Sequence, residues 1–370
     1  MKKRFGIIFL LVIFSIAVPS KAFSLDREYN FFDLGFLDPG SDEAGPLFAI
    51  PHGINESAQV VGQTGILPQQ DSPFFWQANS MSSVGLPSTP NTIVRAWASD
   101  INDSGQIVGV YQEPSQPQTN NEFGFFRSNN TSVSIQDFSP KKVSNDGTAI
   151  GSFTGGANFG QTGYWKNGNS SVLPFAFAAD INNSNEVVGD ASFSSGLQGA
   201  VLKNNQLDQL SPLSGHTSTS ALAVNDLGEV VGWSFSASDS KHLVKWNSGV
   251  LSDLGIEPVK DFQIFAFNNA EQIVGTAPAD TGSYAALWEK GEFSDLNLYL
   301  KPGSKWHLAS ALDVNELGQI IGFGYADDSP GQRAYLLSPV VTPEPASCSL
   351  FFLGGAALWA RRRRGLIRKR

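Results

Sequence analysis

Four histidines, one cysteine and a small set of aromatic residues are the side chains from which specific chemistry would have to be built. His52, His216, His242 and His307 are scattered with no metal-ligand spacing, so a core or solvated role is expected for each. The single cysteine, Cys348, excludes an internal disulfide framework and every multi-cysteine zinc site. It lies in an apolar stretch, where a buried apolar role is expected. There is no Gly-x-Ser-x-Gly elbow, no His-Glu-x-x-His and no phosphate-cradling glycine loop. Carboxylates are plentiful, so an acid pair of the kind a glycosidase or lyase uses stays open, yet none stands out by spacing. No catalytic residue, cofactor site or metal ligand is assigned. The turns Asn102-Asp103-Ser104-Gly105 and Asn225-Asp226-Leu227-Gly228 invite a calcium reading. One such turn offers fewer than the roughly six oxygens calcium takes. An asparagine bonding its own turn accounts for them more simply. Trp97, Tyr111, His216, Trp233, Trp306 and His307 could stack on sugar rings at a rim, with packing between structural units as the plainer role.

What positions these residues is a repeat. Asn55–Gly62 (Asn-Glu-Ser-Ala-Gln-Val-Val-Gly) is echoed by Asn102–Gly109, Asn182–Gly189, Asn225–Gly232, Asn268–Gly275 and Asn315–Gly322, with a degenerate copy from Ser144 to Gly151. The closing glycines are spaced by 38 to 47 residues, about 43 on average. An aromatic or aliphatic run follows each glycine, as in Phe74-Phe75-Trp76, Phe125-Phe126, Tyr164-Trp165 and Leu287-Trp288. Short turns come next, such as Asn129-Asn130, Asn167-Gly168, Asn204-Asn205 and Lys290-Gly291, whose residues suit the positive φ angles of two-residue hairpins. A last element has the form Leu251-Ser252-Asp253-Leu254-Gly255.

Each repeat therefore reads as a four-stranded meander, a to d; in the fifth copy the strands are Ser220–Val224, Glu229–Phe235, His242–Trp246 and Val250–Leu254. The seventh copy ends near Pro339 without strand d, while Phe32-Asp33-Leu34-Gly35 has the form of strand d and precedes the first copy. The two ends complete one unit, as ring closure requires. An open solenoid would need distinct caps, which are missing. The expectation is an all-β fold: a seven-bladed β-propeller of four-stranded antiparallel blades over residues 23–340, closed by an N-terminal strand. The a–b and c–d turns then share one face, and the variable b–c and d–a loops share the other. The longest of these runs from Glu113 to Asn121, and a ligand is expected on that face.

The ends read as addresses. Residues 1–22 have a basic start, an apolar run Phe5–Val18 and small residues at Ser20 and Ala22, the layout of a secretory signal peptide, with an uncleaved anchor as the alternative. Over residues 341–370, Pro343-Glu344-Pro345 precedes an apolar stretch, Ala346–Ala360, and then Arg361-Arg362-Arg363-Arg364. This terminus resembles the PEP-CTERM sorting signal: a Pro-Glu-Pro motif, a hydrophobic helix and an arginine-rich end. The resemblance implies transient membrane anchoring through that helix, then processing by an exosortase, with signal peptidase acting at the other end. A plain C-terminal anchor is the alternative. The repeat resembles the HAF-type extracellular repeat, with its Asn-x-x-Gly-x-Val-Val-Gly core. That likeness implies a secreted surface protein and brings no catalytic residues with it. Ser144, Asn145 and Val201-Leu202 depart from the pattern.

Without residues 1–22 and 346–370 the chain keeps 14 basic residues against 34 acidic ones, a formal charge of −20. Such a body repels nucleic acid and anionic lipid. The expected function is that of an exported, non-catalytic surface or matrix protein that binds extracellular polysaccharide. A secreted propeller enzyme acting on polysaccharide and a surface scaffold for protein partners are the alternatives.

Overall fold

The computed structural model describes residues 28–37, 47–66, 70–89, 93–114, 121–238, 240–256, 261–327 and 329–340. The two terminal addresses, Pro343, Glu344, Pro345 and Arg361–Arg364 among them, lie outside the described residues, as do Cys348 and the middle of the 113–121 loop. No helix among the described residues is long and apolar enough to cross a membrane.

The described residues form seven four-stranded antiparallel sheets, the seven-bladed propeller that the repeat predicts. In order a to d, blade 1 is Leu47–Ile54, Val60–Ile66, Gln70–Gln77 and Ser80–Ser83, and blade 2 is Arg95–Ile101, Ile107–Glu113, Asn121–Ser128 and Thr131–Ile135. Blade 3 is Phe138–Val143, Ala149–Phe153, Thr162–Lys166 and Asn169–Val172; blade 4 is Phe177–Ile181, Val187–Phe193, Gly196–Lys203 and Gln206–Gln209. Blade 5 is His216–Val224, Val230–Ser236, Lys241–Asn247 and Val250–Ile256; blade 6 is Gln263–Phe267, Ile273–Pro278, Ser283–Glu289 and Glu292–Asp295. Blade 7 takes Trp306–Val314, Ile320–Ala326 and Ser329–Pro339 from the C-terminal side and Tyr29–Asp33 from the N-terminal side. The closing strand thus begins three residues earlier than Phe32. Phe31 faces Leu337 in its register, and Val340 N–H donates to the Glu28 carbonyl at 2.8 Å. Both ends of the described ring are tied into one sheet, which leaves the ring without a seam.

The repeat's paired β-branched residues are explained by the stacking of blades. Val60 packs with Ile321, Ala334 and Leu336 of blade 7, whereas Val61 packs with Ala96, Ala98 and Ile107 of blade 2. Successive residues of a strand face opposite ways, so both faces of strand b are buried between neighbours and both positions must be apolar. Each fully buried valine contributes on the order of 2 kcal/mol. The c–d hairpins behave as the turn residues require: φ is positive at Asn129, Asn130, Asn167, Gly168, Asn204, Asn205, Lys290 and Gly291.

The closing glycine answers to a defect repeated in every blade. Beside this glycine strand a carries one extra residue opposite strand b: His52, Ser99, Lys141, Ala179, Leu222, Phe265 and Leu312 in blades 1 to 7, and blades 5 and 7 carry a second one farther out, Thr217 and Ala309. The closing glycine pairs with the residue just before this bulge, as Gly62 does with Pro51 and Gly232 with Ala221. The bulge drives strand a toward strand b there. A Cβ on Gly62, Gly109, Gly151, Gly189, Gly232, Gly275 or Gly322 would run into a strand a carbonyl oxygen, that of Ser220 in the case of Gly232.

Candidate functional site

The seven a–b turns converge on one end of the central channel, and the repeated asparagine joins each turn to the next. In blade 6, Asn268 Oδ1 accepts from the N–H groups of Ala270 and Gln272 at 3.1 and 3.0 Å, which holds its own turn. Its Nδ2 donates to Gln272 Oε1 at 2.8 Å and crosses to the Asn315 carbonyl of blade 7 at 2.9 Å. The crossing recurs from Asn315 to Asn55, Asn55 to Asn102, Asn102 to Ser144, Asn182 to Asn225 and Asn225 to Asn268, at 2.8 to 3.4 Å. Ser144 is too short to continue it. Its hydroxyl instead donates to Asn185 Oδ1 of blade 4 at 2.8 Å, while Asp146 accepts from the Thr148 N–H and so takes over the turn.

A second belt runs through the residue after each asparagine. Asp103 accepts from Glu56 N–H at 2.9 Å, Asn145 from Asp103 N–H at 2.9 Å, Asn183 from Asn145 N–H at 2.9 Å and Asp226 from Asn183 N–H at 2.8 Å. Asn269 accepts from Leu227 N–H, Glu316 from Asn269 N–H, and Glu56 from Glu316 N–H at 2.7 Å, which closes the circle. Deeper in the channel stands the residue two before each asparagine: Gly53, Asp100, Lys142, Asp180, Ala223, Ala266 and Asp313. Each aspartate here accepts from the next blade: Asp100 from Val143 N–H at 2.8 Å, Asp180 from Val224 N–H at 3.0 Å and Asp313 from Ile54 N–H at 3.1 Å.

The cavity at this mouth has a volume of about 440 Å³. Among the described residues, Glu56, Asp100, Asp103, Asp180, Asp226, Asp313 and Glu316 line it against a single cation, Lys142. Burial pushes the Asp100 carboxyl up to about 7, with the Asp313 charge adding to the effect. Burial and then the nearby Glu56, Asp226 and Asp103 charges raise Glu316 to about 7 as well. Asp180 is raised by burial, and so is Glu56. Burial works against the Lys142 ammonium, but Asp313, Asp100 and Asp180 outweigh it and hold its pKa above the ordinary lysine value. The mouth favours cations and repels anions. Its inner aspartates hold each blade's bulge against the next. Asp180 and Asp313 each spend the second oxygen on the following N–H of their own strand, at 2.9 Å. Carboxylates engaged in this way are braces first, with little freedom to rotate onto a substrate. Among the described residues, no group of three or more histidine, cysteine or acidic side chains is arranged to hold a metal ion.

The aromatics and histidines picked out in the sequence do not line this mouth, and they fall in blades 2, 5 and 7. Tyr111 is 2% exposed, stacked on Phe123 and hydrogen-bonded to Ser134 Oγ at 2.8 Å. Trp233 is 5% exposed with the Lys241 ammonium over its ring. His216 bonds Ser234 Oγ at 3.0 Å and meets His242 edge-on. Trp306 packs on Phe31, and Trp97 is half-buried in strand a of blade 2. His307 is exposed, with Nε2 2.7 Å from the Ser283 carbonyl oxygen. What the sequence reading passed over is the channel column of Asp100, Lys142, Asp180 and Asp313. Stacking the seven copies shows it, because three of the seven carry Asp two residues before the asparagine position.

No family model and no curated protein matches the chain. Solved structures similar to it include the Pyrococcus horikoshii acylaminoacyl peptidase, 12% identical over 78% of this chain and 51% of that one, with a TM-score of 0.50. TolB from Acinetobacter baumannii is 11% identical over 68% of this chain and 63% of that one, with a TM-score of 0.42. A gluconolactonase from Xanthomonas campestris is 10% identical over 84% of this chain and 90% of that one, with a TM-score of 0.35. The chain thus spans less than two thirds of the first two proteins. At such identity the peptidase shares a fold with this chain and nothing finer.

Proposed function

We propose that this chain is an exported, non-catalytic propeller that is sorted through its C-terminal signal and binds polysaccharide in the extracellular matrix. The observation that carries the non-catalytic part is the use made of the acidic side chains at the channel mouth. The carboxylates that converge there accept backbone N–H groups of neighbouring blades or turns, so they are committed to closing the ring. Export and sorting are supported by where the ring begins and ends. Glu28 and Val340 are bonded to each other, six residues after Ala22 and three before Pro343. Every strand of the described residues lies between them, so removal of both addresses leaves a self-contained ring with a charge of −20. An acidic, hydrated body that resists anionic lipid suits a particle held in a matrix by local contacts rather than by its net charge.

Cell fractionation tests the sorting. The full chain is expected at the surface or in the medium, with a mass lacking the arginine-rich tail. The triple substitution P343A/E344A/P345A is expected to stay in the membrane fraction at full mass. Equal distribution of the two forms would overturn the sorting proposal. Retention of residues 23–345 on immobilised extracellular polysaccharide tests the binding, and elution with the void volume from every polysaccharide would overturn it.

A further inference from the structure

On the tight-turn face, between blades 1 and 2, lies a groove of about 370 Å³ whose lining, among the described residues, holds one cation and no carboxylate. In a body with 34 acidic residues that is an unusual surrounding for an arginine. Arg95 and Arg333 both pair with carboxylates, those of Asp71 and Asp33. Arg127 pairs with none among the described residues. Its Nη2 donates to the neutral Asn130 Oδ1 at 3.0 Å, and its Nε is buried with no acceptor. A guanidinium that lines the groove with no carboxylate partner suits an anionic acceptor. Around the guanidinium stand the Ser82, Ser83 and Ser104 hydroxyls, the Asn129 and Asn130 amides and the half-buried ring of Phe75.

We propose that this groove binds an acidic sugar residue, a uronate, with its carboxylate on Arg127. The sugar hydroxyls meet the serine hydroxyls and asparagine amides, and an apolar ring face turns to Phe75. One planar guanidinium matches one planar carboxylate. A phosphate dianion would call for a second cation, which the groove lacks. Groups that both donate and accept suit the hydroxyls of a pyranose, and an aromatic ring suits its C–H face. The site rests on the polysaccharide-binding reading and narrows it to uronate-bearing chains.

The experiment is isothermal titration of residues 23–345, which hold every strand of the ring, with α-1,4-trigalacturonate and with its methyl ester. Salt is kept at 0.15 M, where the acidic body is screened beyond about 8 Å. The acid is expected to bind, and the ester at least about tenfold more weakly. Arg127→Gln is expected to lose about tenfold or more in affinity for the acid, with its melting temperature near that of the unmodified protein. Asn130→Asp is the second variant: it places a carboxylate beside the guanidinium, fills the site with an internal ion pair, and is expected to lose the ligand while the fold is kept. Equal affinity for acid and ester, or unchanged affinity in both variants, would overturn the proposal. Retention of neutral polysaccharide without uronate binding would overturn this site alone. Retention of no polysaccharide at all would overturn the broader reading with it.

Discussion

Asn268 is the position where the two jobs of the repeated asparagine can be separated. It is 1% exposed and its side chain makes four hydrogen bonds, two that hold its own turn and two from Nδ2, one of which crosses to blade 7. Asn268→Ala removes all four and leaves the N–H groups of Ala270 and Gln272 without their acceptor, the second of them buried. At about 1 kcal/mol for each bond, plus desolvation of the buried donor, the loss is about 3–5 kcal/mol. Asn268→Asp is the informative change. Aspartate keeps the oxygen that accepts from Ala270 and Gln272, and aspartate and asparagine serve a turn about equally well. If the asparagine only shaped its turn, the aspartate form would lose little. In the ring, its second oxygen is placed about 2.9 Å from the Asn315 carbonyl oxygen, where a donor stood. Gln272 can turn its amide to meet the new acceptor, but the carbonyl cannot move. The aspartate form is therefore expected to lose at least as much stability as the alanine form at pH 8, and to recover part of it at pH 4, where a protonated carboxyl can donate. Urea unfolding followed by tryptophan fluorescence at both pH values reads this. An aspartate form within about 1 kcal/mol of the unmodified protein at pH 8 would refute the inter-blade clasp.

Three further outcomes follow from the same geometry. Gly232→Ala directs a methyl group at the Ser220 carbonyl oxygen opposite the bulge and is expected to cost about 3 kcal/mol or more in urea unfolding, whereas an exposed substitution stays within about 0.5 kcal/mol. Ala58 occupies the left-handed position of its turn, with φ at 54°, where Gly105, Gly228 and Gly318 stand in other blades; Ala58→Gly is expected to raise stability by about 1 kcal/mol, and a decrease would count against the strain assigned to it. Asp100 has a folded-state pKa near 7 against an ordinary 3.8, so its contribution to stability is present below about pH 4 and is lost as pH rises through 7. At 1.36 kcal/mol per pH unit the change is at most about 4 kcal/mol, and Asp100→Asn is expected to flatten the fall in urea midpoint between pH 5 and 8. An equal fall in the variant would remove Asp100 from the account.

The fold was legible because its information is local and repeated. A turn, two apolar strands and a hairpin recur seven times, and Phe32-Asp33-Leu34-Gly35 shows a strand d misplaced to the front. Even the divergent blades 3 and 4, with Ser144 and Val201-Leu202, form complete sheets. The bulge was not legible. One extra residue, such as Ser99 or Lys141, breaks the alternation of strand a and looks like noise until strand b is laid beside it. The clasp was hidden for a similar reason. Asn268 reads as a turn residue, and its partner, the Asn315 carbonyl, is 47 residues away. The aromatic candidates illustrate the reverse. Their types suggested a ligand, but Tyr111 and Trp233 are buried between strands that only the folded ring brings together. Arg127 gave no signal at all, since an arginine in a strand is ordinary until its neighbours prove to be neutral.

On the function proposed above, the ring binds polysaccharide and performs no chemistry on it. Affinity electrophoresis tests this most directly, with residues 23–345 run in native gels cast with extracellular polysaccharide and the gel contents then assayed for new reducing ends and for the unsaturated ends a lyase would leave. Retarded migration is expected in at least one uronate-bearing polysaccharide, with no new ends above background. Unretarded migration in every polysaccharide, or new ends accumulating with time and protein, would contradict it.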